Sequence, residues 1–300
     1  MKAFKEKETP IQNIAYLGVL CAIVALFTLV IEFVPFSALP SMLFIPLISV
    51  FATACTKEKY NWIYLVSALL VSFIVSINNY IDTLFYVFPP LISGFFYGYL
   101  RKKGCPTILL IFASASLTMG LHYLSIPLIR AIYQIDMIPS TLKLLGLDKI
   151  INILYVVPSF IFSLSLGEFG LSFLIIELIE KRIGDTSDDN HKFLYVFLSL
   201  FFSITTMLFA FYVPSLAFLS LVISFYFGLA STLFFLTKGK YYNYVLLIVF
   251  LISSLFLFAY FYKKMPMNTG LTLISLPIVA FDLSNLLIGL QYTRKEKNHD

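Results

Sequence analysis

The sequence is poor in charge, in cysteine and in the motifs of soluble enzymes. Charged residues make up 12% of the 300 residues, whereas 60% are hydrophobic, and a soluble domain cannot bury so much apolar surface. Cys21, Cys55 and Cys105 show neither CxxC nor metal-ligand spacing, so we expect reduced, structural thiols.

Catalytic signatures are also missing. The sequence contains no HExxH, no GxSxG, no GxxxxGK[ST] phosphate loop and no paired intramembrane aspartates of the GxGD type. His122, His191 and His299 are scattered and do not form a metal-ligand pattern. We therefore expect no enzyme, no metal and no cofactor. The net charge of +5 lies in short clusters between apolar runs, which argues against a nucleic-acid partner.

Long apolar runs are what the sequence does contain. A helix needs ~20 mostly apolar residues to cross a bilayer, and about ten runs meet or approach this length. The runs lie near 12–33, 40–55, 61–77, 83–99, 107–126, 150–179, 193–212, 216–236, 242–262 and 271–291. They predict an all-α, polytopic transmembrane bundle whose first partner is the lipid bilayer.

Basic residues predict the orientation. With the N-terminus inside, most of the 21 Lys and Arg residues fall in cytoplasmic segments, as the positive-inside rule requires. The exceptions on the outer side are Arg130, Lys143, Lys149, Lys263 and Lys264. An even number of spans then places both termini in the cytoplasm.

Two segments interrupt the series of spans. The acidic stretch 184–192 predicts a cytoplasmic loop between a six-span unit at 1–183 and a four-span unit at 193–300. The segment from Pro127 to Lys149 mixes apolar and charged residues, so we expect an interfacial helix or lid on the outer face.

Glu168 is the most central ionisable residue of any predicted span. It lies between Gly167 and Gly170, and charge inside a span costs several kcal/mol, which makes such a residue a functional candidate. The two glycines would let the helix open and offer carbonyl groups to a cation or substrate. The alternative is a protonated carboxyl that hydrogen-bonds a neighbouring helix.

Asp282 and Asn285 form a second intramembrane polar pair. They are three residues apart and share one face of the last predicted span. Their side chains are candidates for contact with Glu168, Arg294 or a ligand, or for a polar contact that holds two helices together.

Polar residues also collect at the predicted outer ends of spans, together with Glu32 and Tyr80. They have the composition of the mouth of an outward-open pocket, although ordinary loops have it too. The candidate ligand-binding residues are Asn78, Asn79, Asp82, His122 and Arg130.

Small residues line one face of the first span. Gly18, Ala22 and Ala25 lie at positions i, i+4 and i+7, and small residues let another helix approach closely. The partner helix belongs either to this chain or to a separate subunit.

Three sequence segments carry a family resemblance. They are LFIPL at 43–47, PPLISGFFYGYLRKK at 89–103 and ELIEKRIG at 177–184. Residues 1–183 resemble the substrate-binding S-component of energy-coupling-factor (ECF) vitamin transporters. The whole chain resembles the YybS-like bacterial membrane proteins, which carry additional C-terminal spans and end with an aspartate followed by a basic cluster, like Asp282 and Arg294 here.

The resemblance implies a bacterial cell-membrane protein that binds a small molecule for uptake. S-components hold a vitamin near the outer face between six helices. Small residues on their first helix dock onto a transmembrane scaffold driven by ATPase subunits, and the stripe at Gly18, Ala22 and Ala25 is similar. Ligand residues differ among S-components, so the resemblance transfers none of them.

Two other functions remain open. Ten spans divide into five plus five, and an odd-numbered half gives inverted repeats, the arrangement of many ion-coupled secondary transporters. Glu168 would then be the coupling residue. Alternatively, the protein is a non-transporting scaffold or assembly factor whose polar intramembrane groups only hold helices together.

Overall fold

A computed structural model describes residues 6–34, 37–77, 79–144, 153–180, 191–236, 252, 256 and 266–297. Every secondary-structure element in these residues is helical. Seven helices are long and apolar enough to cross a membrane, and two shorter apolar helices cover Pro40–Cys55 and Phe193–Phe209. The protein is an all-α, multi-pass membrane protein.

We number the helices of the described residues in chain order, and count the helical stretch from Tyr80 to Lys102 as one. The helices are α1 (Pro10–Phe33), α2 (Ala38–Cys55), α3 (Glu58–Val75), α4 (Tyr80–Lys102), α5 (Thr107–Tyr133), α6 (Met137–Leu144), α7 (Val157–Glu180), α8 (Lys192–Phe209), α9 (Pro214–Leu236) and α10 (Met267–Lys297). A short 3₁₀ turn at Ile153–Tyr155 precedes α7.

Each predicted span within the described residues corresponds to one of these helices. The run predicted at 242–262 lies outside the described residues, so the count of about ten spans stays a prediction, as does the orientation.

Helix boundaries follow local chemistry, as α1 shows. Thr9 and Gln12 form a capping box in which each side chain accepts a hydrogen bond from the other's backbone N–H.

The predicted end of the fifth span was wrong. The span expected to end at 126 continues through Pro127 to Tyr133. Proline removes a single backbone hydrogen bond, which a membrane helix tolerates when neighbouring groups compensate. The helix ends instead at Gln134, whose left-handed backbone (φ 56°) forms the C-cap. The interfacial segment therefore starts later than expected, and its described helix is α6.

The chain forms two compact units. The N-terminal unit comprises Met1–Ile151 and Ile161–Thr186, and the C-terminal unit comprises Asn152–Phe160 and Ser187–Asp300.

In the N-terminal unit, α1 to α4 enclose an apolar core. Val24, Ile45, Ala68 and Leu91, one from each helix, are fully buried in it. The helices α2 and α4 approach closely at Gly94, where a Cβ atom would lie 2.5 Å from the Cα of Pro46. A side chain at this position would separate the two helices.

Basic residues gather at the end of the N-terminal unit where α1 starts, which we call the basic end. The Lys57 ammonium group donates to the Glu8 carbonyl oxygen at 2.9 Å. The Lys102 ammonium group donates to the Thr56 carbonyl oxygen at 2.6 Å and pairs with Glu6 at 3.1 Å. The positive-inside rule would place this end in the cytoplasm.

The C-terminal unit packs α8, α9 and α10 against one another. Phe227 of α9 stacks on Tyr195 and Phe202 of α8, with ring centroids 6.3 and 6.4 Å apart. Between the helices lie fully buried serines, including Ser199, Ser203, Ser224, Ser231 and Ser275.

Candidate functional site

Two carboxyl groups lie near each other at the opposite end of the N-terminal unit, which we call the acidic end. Glu32 lies in the last turn of α1, and Asp82 lies in the first turn of α4. Asn79 Nδ2 donates a hydrogen bond of 2.8 Å to Asp82 Oδ2. The Glu32 carboxyl is near enough for its charge to act on Asp82. Glu32 Oε2 is buried and has no hydrogen-bond partner among the described residues.

A π-helical segment, Thr83–Val87, follows Asp82 directly. Its physical cause is visible in the sequence, because Pro89 and Pro90 have no N–H to donate back into the helix. The Phe88 N–H instead reaches Thr83 O, five residues back. Single-turn π-helices occur frequently at functional sites.

His122 supports this segment from α5. The imidazole is 3% exposed, and its edge lies against the Phe85 ring, with centroids 4.7 Å apart. Its Nδ1 lies 2.9 Å from the Thr118 carbonyl oxygen. His122 therefore packs against the π-helical segment through its ring and positions it.

Buried hydroxyl groups connect the helices behind the carboxyl pair. Thr28 of α1 donates to the Ser72 hydroxyl of α3 at 3.2 Å. Thr83 of α4 bonds the Ser76 hydroxyl and reaches the Ser72 carbonyl oxygen. These bonds fix α1, α3 and α4 relative to one another, and therefore fix the approach of Glu32 to Asp82.

The remaining residues predicted for this pocket are placed differently. Arg130 pairs with Asp136 at 3.0 Å, and its side chain is 69% exposed. Asn78 lies outside the described residues. Sequence reasoning missed Tyr133, whose hydroxyl accepts a 2.9 Å hydrogen bond from the Tyr80 N–H and ties α5 to the start of α4. The structure thus joins Asn79 and Asp82 directly and His122 through the π-helical segment.

Glu168 lies in α7, within the N-terminal unit. It is 3% exposed, and its Oε1 has no hydrogen-bond partner among the described residues. The helix is continuous through Gly167 and Gly170, so the opening that the two glycines suggested is not present. The adjacent Phe169 stacks on Tyr97 at 5.8 Å.

Asp282 and Asn285 are both buried in α10. Asn285 Nδ2 donates to the Ser231 hydroxyl of α9 at 3.2 Å, which is an interhelical polar contact of the kind expected. Asp282 lies beside the Ser199 hydroxyl of α8. Among the described residues, no three His, Cys, Asp or Glu side chains are grouped as metal ligands.

The small-residue stripe on α1 faces away from the described helices. Gly18 and Ala22 are exposed and Ala25 is half-buried. A Cβ atom on Gly18 would meet nothing within 4 Å. Within the part of the chain that the structure describes, no helix covers the centre of this stripe.

Comparison with known proteins gives no relative for this chain: no family model, no curated protein and no solved structure matches it.

Proposed function

We propose that this membrane protein binds a small, positively charged solute at its acidic end and serves as the binding component of an uptake system. The observation that carries the proposal is the buried Oε2 of Glu32, which has no hydrogen-bond partner among the described residues and lies near Asp82. In the predicted orientation the acidic end faces outward, where an uptake protein first meets its solute.

The chemistry of the pair favours a cation. Two carboxylates that face each other in a partly buried place repel, and each loses hydration. An ammonium or guanidinium group between them would offset both costs and would fill the acceptor position left on Glu32. Asn79 holds Asp82 in place through its 2.8 Å hydrogen bond, so one wall of the site is preorganised.

The test is ligand-dependent stability of the purified full-length protein. A ligand that binds only the folded state stabilises it by about 2.7 kcal/mol at a hundredfold excess over Kd. We expect some members of a panel of small amines, guanidines and quaternary ammonium compounds to raise Tm, and both Glu32→Gln and Asp82→Asn to abolish the rise.

Asp136→Asn is the matched control, because Asp136 is an exposed carboxylate that follows α5 and already has Arg130 as its partner. It should respond to the same compounds as the unmodified protein. If the compounds stabilise Glu32→Gln and Asp82→Asn as much as they stabilise the unmodified protein, the result would contradict the site.

The uncovered stripe on α1 supports a partner for this uptake role. We infer that Gly18, Ala22 and Ala25 dock onto a transmembrane scaffold with ATPase subunits. In a gentle-detergent pull-down from native membranes, Ala22→Trp should lose these subunits. Val19→Trp, at a 59% exposed position about 100° around α1 from Gly18, should keep them. Recovery of the protein alone would contradict this partner.

Glu168 favours a second candidate, an autonomous ion-coupled transporter. A buried carboxyl with an unpartnered oxygen inside a span is a typical coupling group. Ion-coupled flux in proteoliposomes that is lost in Glu168→Gln and retained in Glu8→Gln would support it. Flux that is unchanged in Glu168→Gln would rule out Glu168 as the coupling residue.

Stable association with other membrane proteins, without flux or ligand stabilisation, would instead indicate a scaffold.

A further inference from the structure

A further carboxyl group whose oxygens have no hydrogen-bond partner among the described residues lies in the C-terminal unit, far along the chain from the acidic-end site. Asp282 of α10 is fully buried. Neither of its oxygens accepts a hydrogen bond of ordinary geometry from the described residues. No described ion pair involves it. This carboxyl therefore needs a source of compensation that the described side chains do not supply.

The hydroxyl beside Asp282 has its proton engaged elsewhere. Ser199 of α8 donates its single proton to the Ser224 carbonyl oxygen of α9 at 2.9 Å. The Ser224 hydroxyl in turn bonds the Ser203 hydroxyl at 2.7 Å. The oxygen of Ser199 consequently offers lone pairs, rather than a proton, to whatever lies next to the carboxyl group.

Gly228 of α9 lies close to these oxygens. A Cβ atom at Gly228 would lie 3.1 Å from Ser199 Oγ and 3.7 Å from Asp282 Oδ1. Because glycine has no side chain, α9 can pack this closely against both oxygen atoms. The three helices thus bring a carboxyl group and a hydroxyl oxygen together beside a position that carries no side chain.

Helix packing alone does not account for Asp282. The contact that holds α10 to α9 is made one turn away, by Asn285 and Ser231. Among the described residues Asp282 makes no such bond to α9 and has only the Ser199 hydroxyl of α8 beside it, and an uncompensated carboxylate in this environment costs several kcal/mol. A structural role would be served better by an amide, which donates as well as accepts.

We propose that Asp282 and Ser199 form a binding site for a small monovalent cation, Na⁺. Oxygen ligands without sulfur or imidazole favour a hard cation over a transition metal. A single carboxylate balances one positive charge, whereas the divalent cations prefer several carboxylates or retained water. The site lies between α8, α9 and α10, so cation binding would hold these three helices together.

The experiment uses the full-length purified protein in lipid nanodiscs at constant pH and ionic strength. Replacing choline by Na⁺ should raise Tm in a saturable manner, and ²²Na⁺ should bind directly, displaced by unlabelled Na⁺. Asp282→Asn should abolish both responses. Loss of one ligand in Ser199→Ala should weaken Na⁺ binding about tenfold, equivalent to about 1.4 kcal/mol.

Gly228→Ala and Ser275→Ala complete the test. Gly228→Ala puts a methyl group against Ser199 Oγ and should also reduce Na⁺ affinity. Ser275 is a buried serine of the same unit whose hydroxyl bonds only within α10, to the Thr272 carbonyl oxygen, so Ser275→Ala should leave the Na⁺ response unchanged. If Asp282→Asn fails to fold, the difference in Na⁺ response between Ser199→Ala and Ser275→Ala still tests the site.

Three results would overturn the site. The first is a Tm that does not change with Na⁺. The second is a Na⁺ response that persists in both Asp282→Asn and Ser199→Ala. The third is a Tm that depends on pH but not on Na⁺, which would make Asp282 a proton site only. None of them bears on Glu32 and Asp82, because the solute assay at the acidic end is performed at fixed Na⁺.

Discussion

Single glycines decide how closely the helices of the N-terminal unit approach. A Cβ atom at Gly94 would lie 2.5 Å from Pro46 Cα and 2.6 Å from its carbonyl oxygen. Both are backbone atoms and cannot rotate aside. Gly120, on α5, has no atom within 4 Å of the corresponding position. The same residue type is therefore essential for packing at one position and of no packing consequence at the other.

We expect Gly94→Ala to destabilise the protein by about 2–3 kcal/mol or to prevent folding, because overpacking costs roughly that much where the neighbour cannot move. Gly120→Ala is the matched control and should stabilise by about 0.5–1 kcal/mol, since alanine restricts the unfolded chain. Thermal unfolding of both variants in the same detergent measures the difference. Similar Tm values for the two would contradict the close packing of α2 and α4.

At the scale of elements, the π-helical segment of α4 shows how proline and a distant histidine act together. Pro89 and Pro90 deprive the preceding turn of donors, and the His122 ring packs against the Phe85 ring of the same turn. His122 was predicted from the sequence as a ligand residue of the outer pocket. The structure places it against the segment that follows Asp82, in a positioning role.

A double-mutant cycle tests this pairing. His122→Ala should cost about 2–4 kcal/mol of unfolding free energy, because it removes a buried ring that packs against Phe85. In a Pro89→Ala background the new N–H can bond the Phe85 carbonyl and hold the segment without the ring, so the cost of His122→Ala should fall by about 1 kcal/mol. Additive costs in the cycle would show that His122 does not compensate for Pro89.

At the scale of the whole molecule, the orientation in the bilayer stays a prediction. In the N-terminal unit, Lys57 and Lys102 lie at the basic end, whereas Glu32 and Asp82 lie at the other end. The positive-inside rule expects the basic end in the cytoplasm.

Reporter fusions measure that orientation. A fusion at Gly104, after α4, should report the cytoplasm, and a fusion at Gln134, after α5, should report the outside. A fusion after Lys297 should report the cytoplasm if a span covers 242–262. An outside signal at Lys297 together with the expected signals at Gly104 and Gln134 would mean an odd number of spans and would rule out both termini inside.

The helices themselves were predictable from the sequence, because a bilayer of fixed thickness demands apolar runs of fixed length. Glu168 and Asp282 were recognisable as exceptional for the same reason, since polar groups in such runs are costly. Even the break in α4 had a signal, in the adjacent prolines Pro89 and Pro90.

Which side chains meet was decided only by the tertiary structure. Lipid is as apolar as a protein core, so a spanning helix has no clear hydrophobic face that reveals which side points inward. The rotation of each helix about its axis therefore cannot be read from its residues. For that reason the sequence alone identified Asp82, His122 and Asp282 as candidates, whereas packing placed Glu32 beside Asp82, His122 beneath Phe85 and Ser199 beside Asp282.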